Sequence, residues 1–178
     1  MGRDKAFIPI DGLEMVSLAT RALIAAGATG VTVIGGDAFR LAALGLPNVA
    51  DRYPGQGPLG GIISALEHFS QSDPLVDCVV ILACDLIDPS PDAIGVVVAA
   101  LDDATLDVAV PIADGRPQWL HAAWRVRALS SLSAEFDRGV RAPRRAVGNL
   151  TVRELRTENE GPFRDADRPE DLPGPVDT

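Results

Sequence analysis

Lysine is almost missing from this 178-residue chain: Lys5 stands alone among sixteen basic side chains, the other fifteen being arginine. Histidine and cysteine are as scarce, with two of each and no close spacing among them, so no zinc-ligand pattern exists. Cys78 and Cys84 fall six apart in one apparent strand, roughly 20 Å at strand rise, which is beyond disulfide reach. They read as reduced core residues. No run of eighteen apolar residues occurs and the N-terminus has no charged-then-apolar leader, so a soluble, cytoplasmic protein without a membrane partner is expected. No Gly-x-Ser-x-Gly elbow is present, which removes support for a serine hydrolase. Positive charge is also short. A net charge of −9 argues against nucleic acid as the main partner but leaves room for a small anion in a local basic pocket. There is no repeat, low-complexity tract or composition break. With 47% hydrophobic residues the chain reads as a single domain over 1–178, with 173–178 frayed.

What the chain does have is glycine and proline in one place. Asp51-Arg52-Tyr53-Pro54-Gly55-Gln56-Gly57-Pro58-Leu59-Gly60-Gly61 sets four glycines and two prolines between an acid and an amphipathic helix. Glycine lets a ligand approach the main chain and proline removes slack, so this is a rigid binding loop whose position beside a helix start favours phosphate.

The periodicity predicts helices over 13–26, opened by a capping box at Asp11 to Glu14, from Asp37 to about Leu44, from Pro58, and from Pro91 behind a Ser90 cap. Strands are expected at Val31–Ile34, near Val49, at Cys78–Cys84, at Asp107–Ile112 and at Leu120–Val126. Cys78–Cys84 is apolar without alternation, as in a central strand covered on both faces. In the last strand Leu120, Ala122, Trp124 and Val126 share one face and Trp119, His121 and Arg125 the other. A basic helical region follows over Ser131–Val147. Strands alternating with helices predict a three-layer αβα fold with a mostly parallel sheet, of Rossmann-like α/β type.

In such sheets ligands gather at the carboxyl ends of strands, here Gly35-Gly36, Asp51 to Gly61, and Asp85. Asp85 follows a dry strand and can hold a hard cation such as Mg²⁺; the alternative is a turn acid. Asp51 is a nucleotide-site acid or a local turn acceptor. Lys5 is either a compact ammonium for polyphosphate, where a planar guanidinium fits badly, or a surviving surface lysine. Arg3 could also touch phosphate. His68 reads as a solvated residue. His121 either lines a ring pocket or is a core histidine. Arg138, Arg141, Arg144 and Arg145 form a basic patch, either a solvated helix face or a grip on a second anion. Asp165 and Asp167 precede Pro169 and offer a second metal ligand or a polar turn.

Met1-Gly2-Arg3-Asp4-Lys5-Ala6, Asp51 through Gly61, Cys84-Asp85, Gly115-Arg116-Pro117-Gln118 with Leu120-His121-Ala122, and Asp165-Ala166-Asp167-Arg168-Pro169-Glu170-Asp171-Leu172 together resemble the molybdenum cofactor guanylyltransferase family. The resemblance implies the nucleotide-diphospho-sugar transferase fold and transfer of GMP from Mg-GTP to molybdopterin with release of pyrophosphate. It implies that Lys5 and Asp85 are catalytic. Arg3, Lys5, Gly35, Asp51, Gly57, Pro58, Leu59 and Gly60 would bind nucleotide, and Asp85 and Asp167 would hold Mg²⁺. Molybdoenzyme maturation proteins are implied partners. Family members carry a strand and a Leu-Ala-Gly-Gly loop ahead of this region, so the resemblance implies a natural start upstream of Met1. Gly35, Trp119, Asp165 and Asp167 depart from the family pattern, which keeps open a cytidylyltransferase or sugar-phosphate nucleotidyltransferase, or a non-catalytic binding protein.

Overall fold

The computed structural model describes residues 4–157, 159 and 161–163. A 3-10 turn at Lys5–Phe7, capped by Asp4, leads into the hairpin of β1 (Pro9–Ile10) and β2 (Leu13–Glu14). Asp11 and Gly12 close it at φ 49° and 83°, the double positive φ for which Asp-Gly is suited. The expected capping box is therefore spent on a turn, and α1 (Met15–Ala25) starts later, with Glu14 making no side-chain cap bond. Then come β3 (Val33–Ile34), α2 (Ala38–Ala43) and β4 (Asn48–Val49). Asp37 caps α2 as expected, its Oδ1 accepting from the Phe39 and Arg40 amides at 3.0 and 3.1 Å. α3 (Pro58–Ser72) begins on Pro58 and fully buries Leu59, Ile62, Ile63 and Leu66, each worth about 1.5–3 kcal/mol.

β5 (Cys78–Val80) is followed by α4 (Pro91–Ala100), whose Ser90 cap accepts from the Ala93 amide. A second Asp-Gly turn, Asp114-Gly115, joins β6 (Val108–Ala113) to β7 (Arg116–Pro117). β8 (Ala123–Arg125), α5 (Leu129–Asp137), α6 (Pro143–Ala146) and β9 (Val152–Arg156) complete the order. β8 is antiparallel to both β5 and β6, so those two run in one direction; β9 pairs with β6 in parallel, as β4 does with β3. The five-stranded sheet is mixed, with β5, β6 and β9 running one way and β8 and β7 the other, and β3 and β4 form a separate parallel pair.

Period-two alternation builds the layers. Val79, Val108, Val110 and Trp124 join α3, α5 and α6 in one cluster, while Cys78, Val80, Ala109 and Ala123 meet Val97 and Leu101 of α4 and its end on the other side. Both sheet faces are covered by helices, which explains strands without polar alternation.

Two expectations change. Trp119–His121 is a 3-10 turn, not strand, so the alternation breaks there and Trp119 packs beside Trp124 with ring centroids 5.9 Å apart. In β5 only Val79 is fully buried; Cys78 and Val80 are half-buried. The edge of β5 away from β8 borders a cavity of about 400 Å³, lined also by Thr32, Phe69, Ile94 and Val98. No helix among the described residues is long and apolar enough to cross a membrane.

Candidate functional site

Two strand ends carry the charged centre of the site. Beyond β5 the chain stays tied to its neighbour, the Ile81 amide donating to the Ala122 carbonyl at 3.0 Å and the Ala83 amide to that of Leu120 at 2.9 Å. That delivers Asp85 just past the strand end. Lys5 arrives from the other side: Phe7 of the same turn is buried with Val16 and Leu41, against Val33 and Cys84, and the Arg40 guanidinium covers its ring at 3.7 Å. The Lys5 ammonium thus lies 3.7 Å from Asp85 Oδ2, each side chain about 30% exposed. Burial, then the carboxylates of Asp85 and Asp4, push the Cys84 thiol up to about 11, so at neutral pH it is a packed thiol and no nucleophile.

Asp51 follows β4, where Gly35 at the end of β3 leaves space for it: a Cβ on Gly35 would sit 3.3 Å from that of Asp51, and the Gly35 φ is 76°. One carboxylate oxygen, Oδ1, accepts from the Tyr53 amide at 3.0 Å and from the Ser64 hydroxyl at 2.7 Å. Ser64 in turn accepts from the Arg52 amide at 3.1 Å, and Arg52 pairs with Glu67 at 3.0 Å.

Part of the glycine loop faces protein. Gly57 backs onto Arg141, and the Leu59 amide donates to the Arg141 carbonyl at 3.2 Å. Arg141 is itself fixed, its Nη1 donating to the Phe136 and Val140 carbonyls while its guanidinium covers the Phe136 ring at 3.9 Å. Phe136 packs on Tyr53 with centroids 4.7 Å apart. Leu59 and Gly60 are buried and Pro58 opens the helix, whereas a Cβ on Gly61 would meet nothing within 4 Å.

The structure therefore brings Lys5 to Asp85 and Gly35 to Asp51, and links both pairs through Val33, which leads into Gly35 and packs in the cluster holding Phe7 and Cys84. Arg3, Asp165 and Asp167 lie outside the described residues. Of the arginine patch, Arg138 pairs with Glu135 and Arg141 is the structural brace just described. His68 meets Phe69 edge-on, and His121 is core, edge-on to Phe163. Ser64 escaped sequence reading, and Arg141, read there only as part of a basic patch, is a brace behind the glycine loop. The only trace of Ser64 was a hydroxyl in an otherwise apolar stretch of α3.

No group of three or more potential metal ligands gathers among the described residues. Asp85 alone, a hard carboxylate at a strand end, fits a divalent cation of the kind held by one or two carboxylates plus substrate phosphate.

Comparison with known proteins gives this geometry a context. Residues 1–152 match the family model described as the MobA-like NTP transferase domain. Molybdopterin-guanine dinucleotide biosynthesis protein A from Archaeoglobus fulgidus is 20% identical, with 96% of this chain and 88% of that one covered at TM-score 0.73. Rv0371c from Mycobacterium tuberculosis, in complex with manganese, is 15% identical over 96% of this chain and 90% of that one at TM-score 0.68. The 4-diphosphocytidyl-2C-methyl-D-erythritol synthase of Anaerococcus prevotii is 9% identical over 92% and 85%, at TM-score 0.70. A search of curated proteins found no match. These neighbours show the nucleotide-diphospho-sugar transferase fold; the family match, covering most of the chain, shows that it belongs to the MobA-like NTP transferase domain family and is a nucleotidyltransferase.

Proposed function

We propose that the protein transfers GMP from GTP to the terminal phosphate of molybdopterin and releases pyrophosphate, with Lys5 and Asp85 as its catalytic pair. The observation that carries the reading is the Lys5 ammonium 3.7 Å from the Asp85 carboxylate, in the turn beyond β5. Nucleotidyl transfer asks a protein for positioning and charge neutralisation, and a cation beside a carboxylate at a strand end supplies both requirements. Lys5 would neutralise the triphosphate as a compact donor able to follow a phosphorus whose geometry changes. Asp85 would hold Mg²⁺, with Asp167 as second ligand; bound there, the ion would stabilise charge on the transferring phosphorus and the leaving pyrophosphate. Gly35, Asp51 and Gly57 to Gly60 would seat the nucleoside, and Arg3 would add a phosphate contact. Molybdoenzyme maturation proteins would receive the product.

The fold neighbour that makes a diphosphocytidyl product keeps a cytidylyl reading as the second choice. Thermal shift with GTP, CTP and UTP, each with Mg²⁺, separates the two. Stabilisation by GTP alone is expected, and stabilisation by CTP alone would overturn the guanylyl assignment.

A further inference from the structure

α3 carries a stripe of three residues that does no core packing of the usual kind. Gly60, Ser64 and Glu67 recur at helical spacing on one face, and all three engage the same short turn, Asp51 to Tyr53. Gly60 admits the Tyr53 backbone, Ser64 bonds Asp51 and Arg52, and Glu67 pairs with Arg52. The middle contact is the unusual one. Ser64 is 3% exposed, and its hydroxyl is used in both directions, donating to Asp51 Oδ1 at 2.7 Å and accepting from the Arg52 amide at 3.1 Å.

With the Tyr53 amide also on Oδ1, that oxygen holds two hydrogen bonds, while Oδ2 takes none from the described residues. An aspartate side chain turns about two bonds. Two donors on one oxygen, approaching from a helix and from the turn itself, restrict that freedom and leave Oδ2 as the oxygen whose lone pairs face outward from the clamp. Asp51 is half-buried and stands against Gly35 at the end of β3.

We propose that Ser64 is a positioning residue for nucleotide binding: by holding Asp51 Oδ1 it presents Oδ2 as a fixed, one-oxygen acceptor for a single N–H or O–H donor of the nucleoside. The inference rests on the proposed site and deepens it, since a carboxylate pinned this way offers the nucleoside one oxygen and not both. Ser64 itself touches no ligand. Its effect passes entirely through Asp51, and that is what a double-mutant cycle measures.

The experiment is a calorimetric titration of wild type, S64A, D51N and the double variant with GTP and with CTP in the presence of Mg²⁺, alongside thermal melts of each. The expected result is a Kd for the preferred nucleotide raised roughly 10-fold in S64A and in D51N, with no further change on adding S64A to D51N. S64T, which keeps the hydroxyl, recovers at least half of the loss on a logarithmic scale. Additive losses, or a wild-type Kd in S64A whatever its melting temperature, overturn the proposal. Wild-type nucleotide binding with an unaffected D51N overturns it too, while leaving the nucleotidyltransferase site standing at Lys5 and Asp85. Absence of binding by the wild type would remove both.

Discussion

Replacing Lys5 by arginine keeps its charge and changes its shape, and that is the distinction the chain itself draws by using arginine at every other basic position. A guanidinium is planar, longer and fixed in its donor directions; an ammonium is a point charge that follows a moving group. K5R is expected to fold with an unchanged melting temperature and to lose turnover by roughly 100-fold, read by steady-state kinetics of pyrophosphate release. Wild-type turnover would remove Lys5 from the reaction. At Asp85 the corresponding change is D85N, which retains shape and removes the anion facing Lys5. Manganese titration of the nucleotide-loaded protein, followed by electron paramagnetic resonance, should give an affinity lower by about 10-fold or more. An unchanged isotherm would reassign the metal to other carboxylates. Residue type alone marked both positions as candidates in the sequence, because a solitary lysine and an acid after an apolar run are visible without coordinates. Ser64 was not readable. Its role depends on a partner thirteen positions away, and nothing in the local pattern of α3 distinguishes a clamped hydroxyl from a tolerated one.

Two neighbouring glycines in the first turn of α3 predict opposite outcomes for one kind of substitution. A Cβ on Gly60 would stand 2.9 Å from the Tyr53 Cβ and 3.3 Å from its carbonyl oxygen, and a backbone cannot swing aside as a flexible side chain can. Alanine gains up to about 1 kcal/mol in a helix over glycine, whereas overpacking costs about 1–3 kcal/mol, so the clash wins at Gly60. G60A should lower the melting temperature by several degrees; G61A, with nothing within 4 Å of its new methyl, should raise it slightly. Equal shifts of the two variants by calorimetry would contradict this packing. The helix itself was legible from Pro58 and the spacing of Leu59, Ile62, Ile63 and Leu66, as were the caps of α2 and α4. The errors have a common cause in turns. Asp11-Gly12 can serve a helix cap or a hairpin, and the pairing of Ile10 with Leu13 chose the hairpin. The 3-10 turn at Trp119–His121 arises where the Gln118 carbonyl accepts from the His121 amide, a local bond invisible to a reading based on strand alternation.

Across the whole molecule, pH dependence of stability should be governed near neutrality by a residue outside the Lys5–Asp85 pair. His121 is buried, and neither ring nitrogen has a hydrogen-bond partner among the described residues; Phe163 meets the ring edge-on at 5.6 Å. Burial lowers its pKa from the usual 6.5 to about 4. The native protein therefore refuses, between those two values, a proton that the unfolded chain accepts, and unfolding takes up protons across that range. The sign follows directly: the histidine contributes no penalty above about pH 6.5, and stability falls as the solution is acidified from there toward pH 4, by about 3 kcal/mol in total. The Thr105 hydroxyl and amide hold the exposed Asp103 carboxyl below its ordinary range, so its own loss of stabilisation falls at still lower pH. Urea denaturation at intervals from pH 7.5 to 4.5, performed on the wild type and on H121L, isolates the contribution. The difference in unfolding free energy between the two proteins should be constant above pH 7 and shift steadily in favour of the leucine variant below 6.5. A difference independent of pH throughout would mean that the native imidazole takes up its proton as readily as the unfolded chain does, and that burial does not hold it neutral.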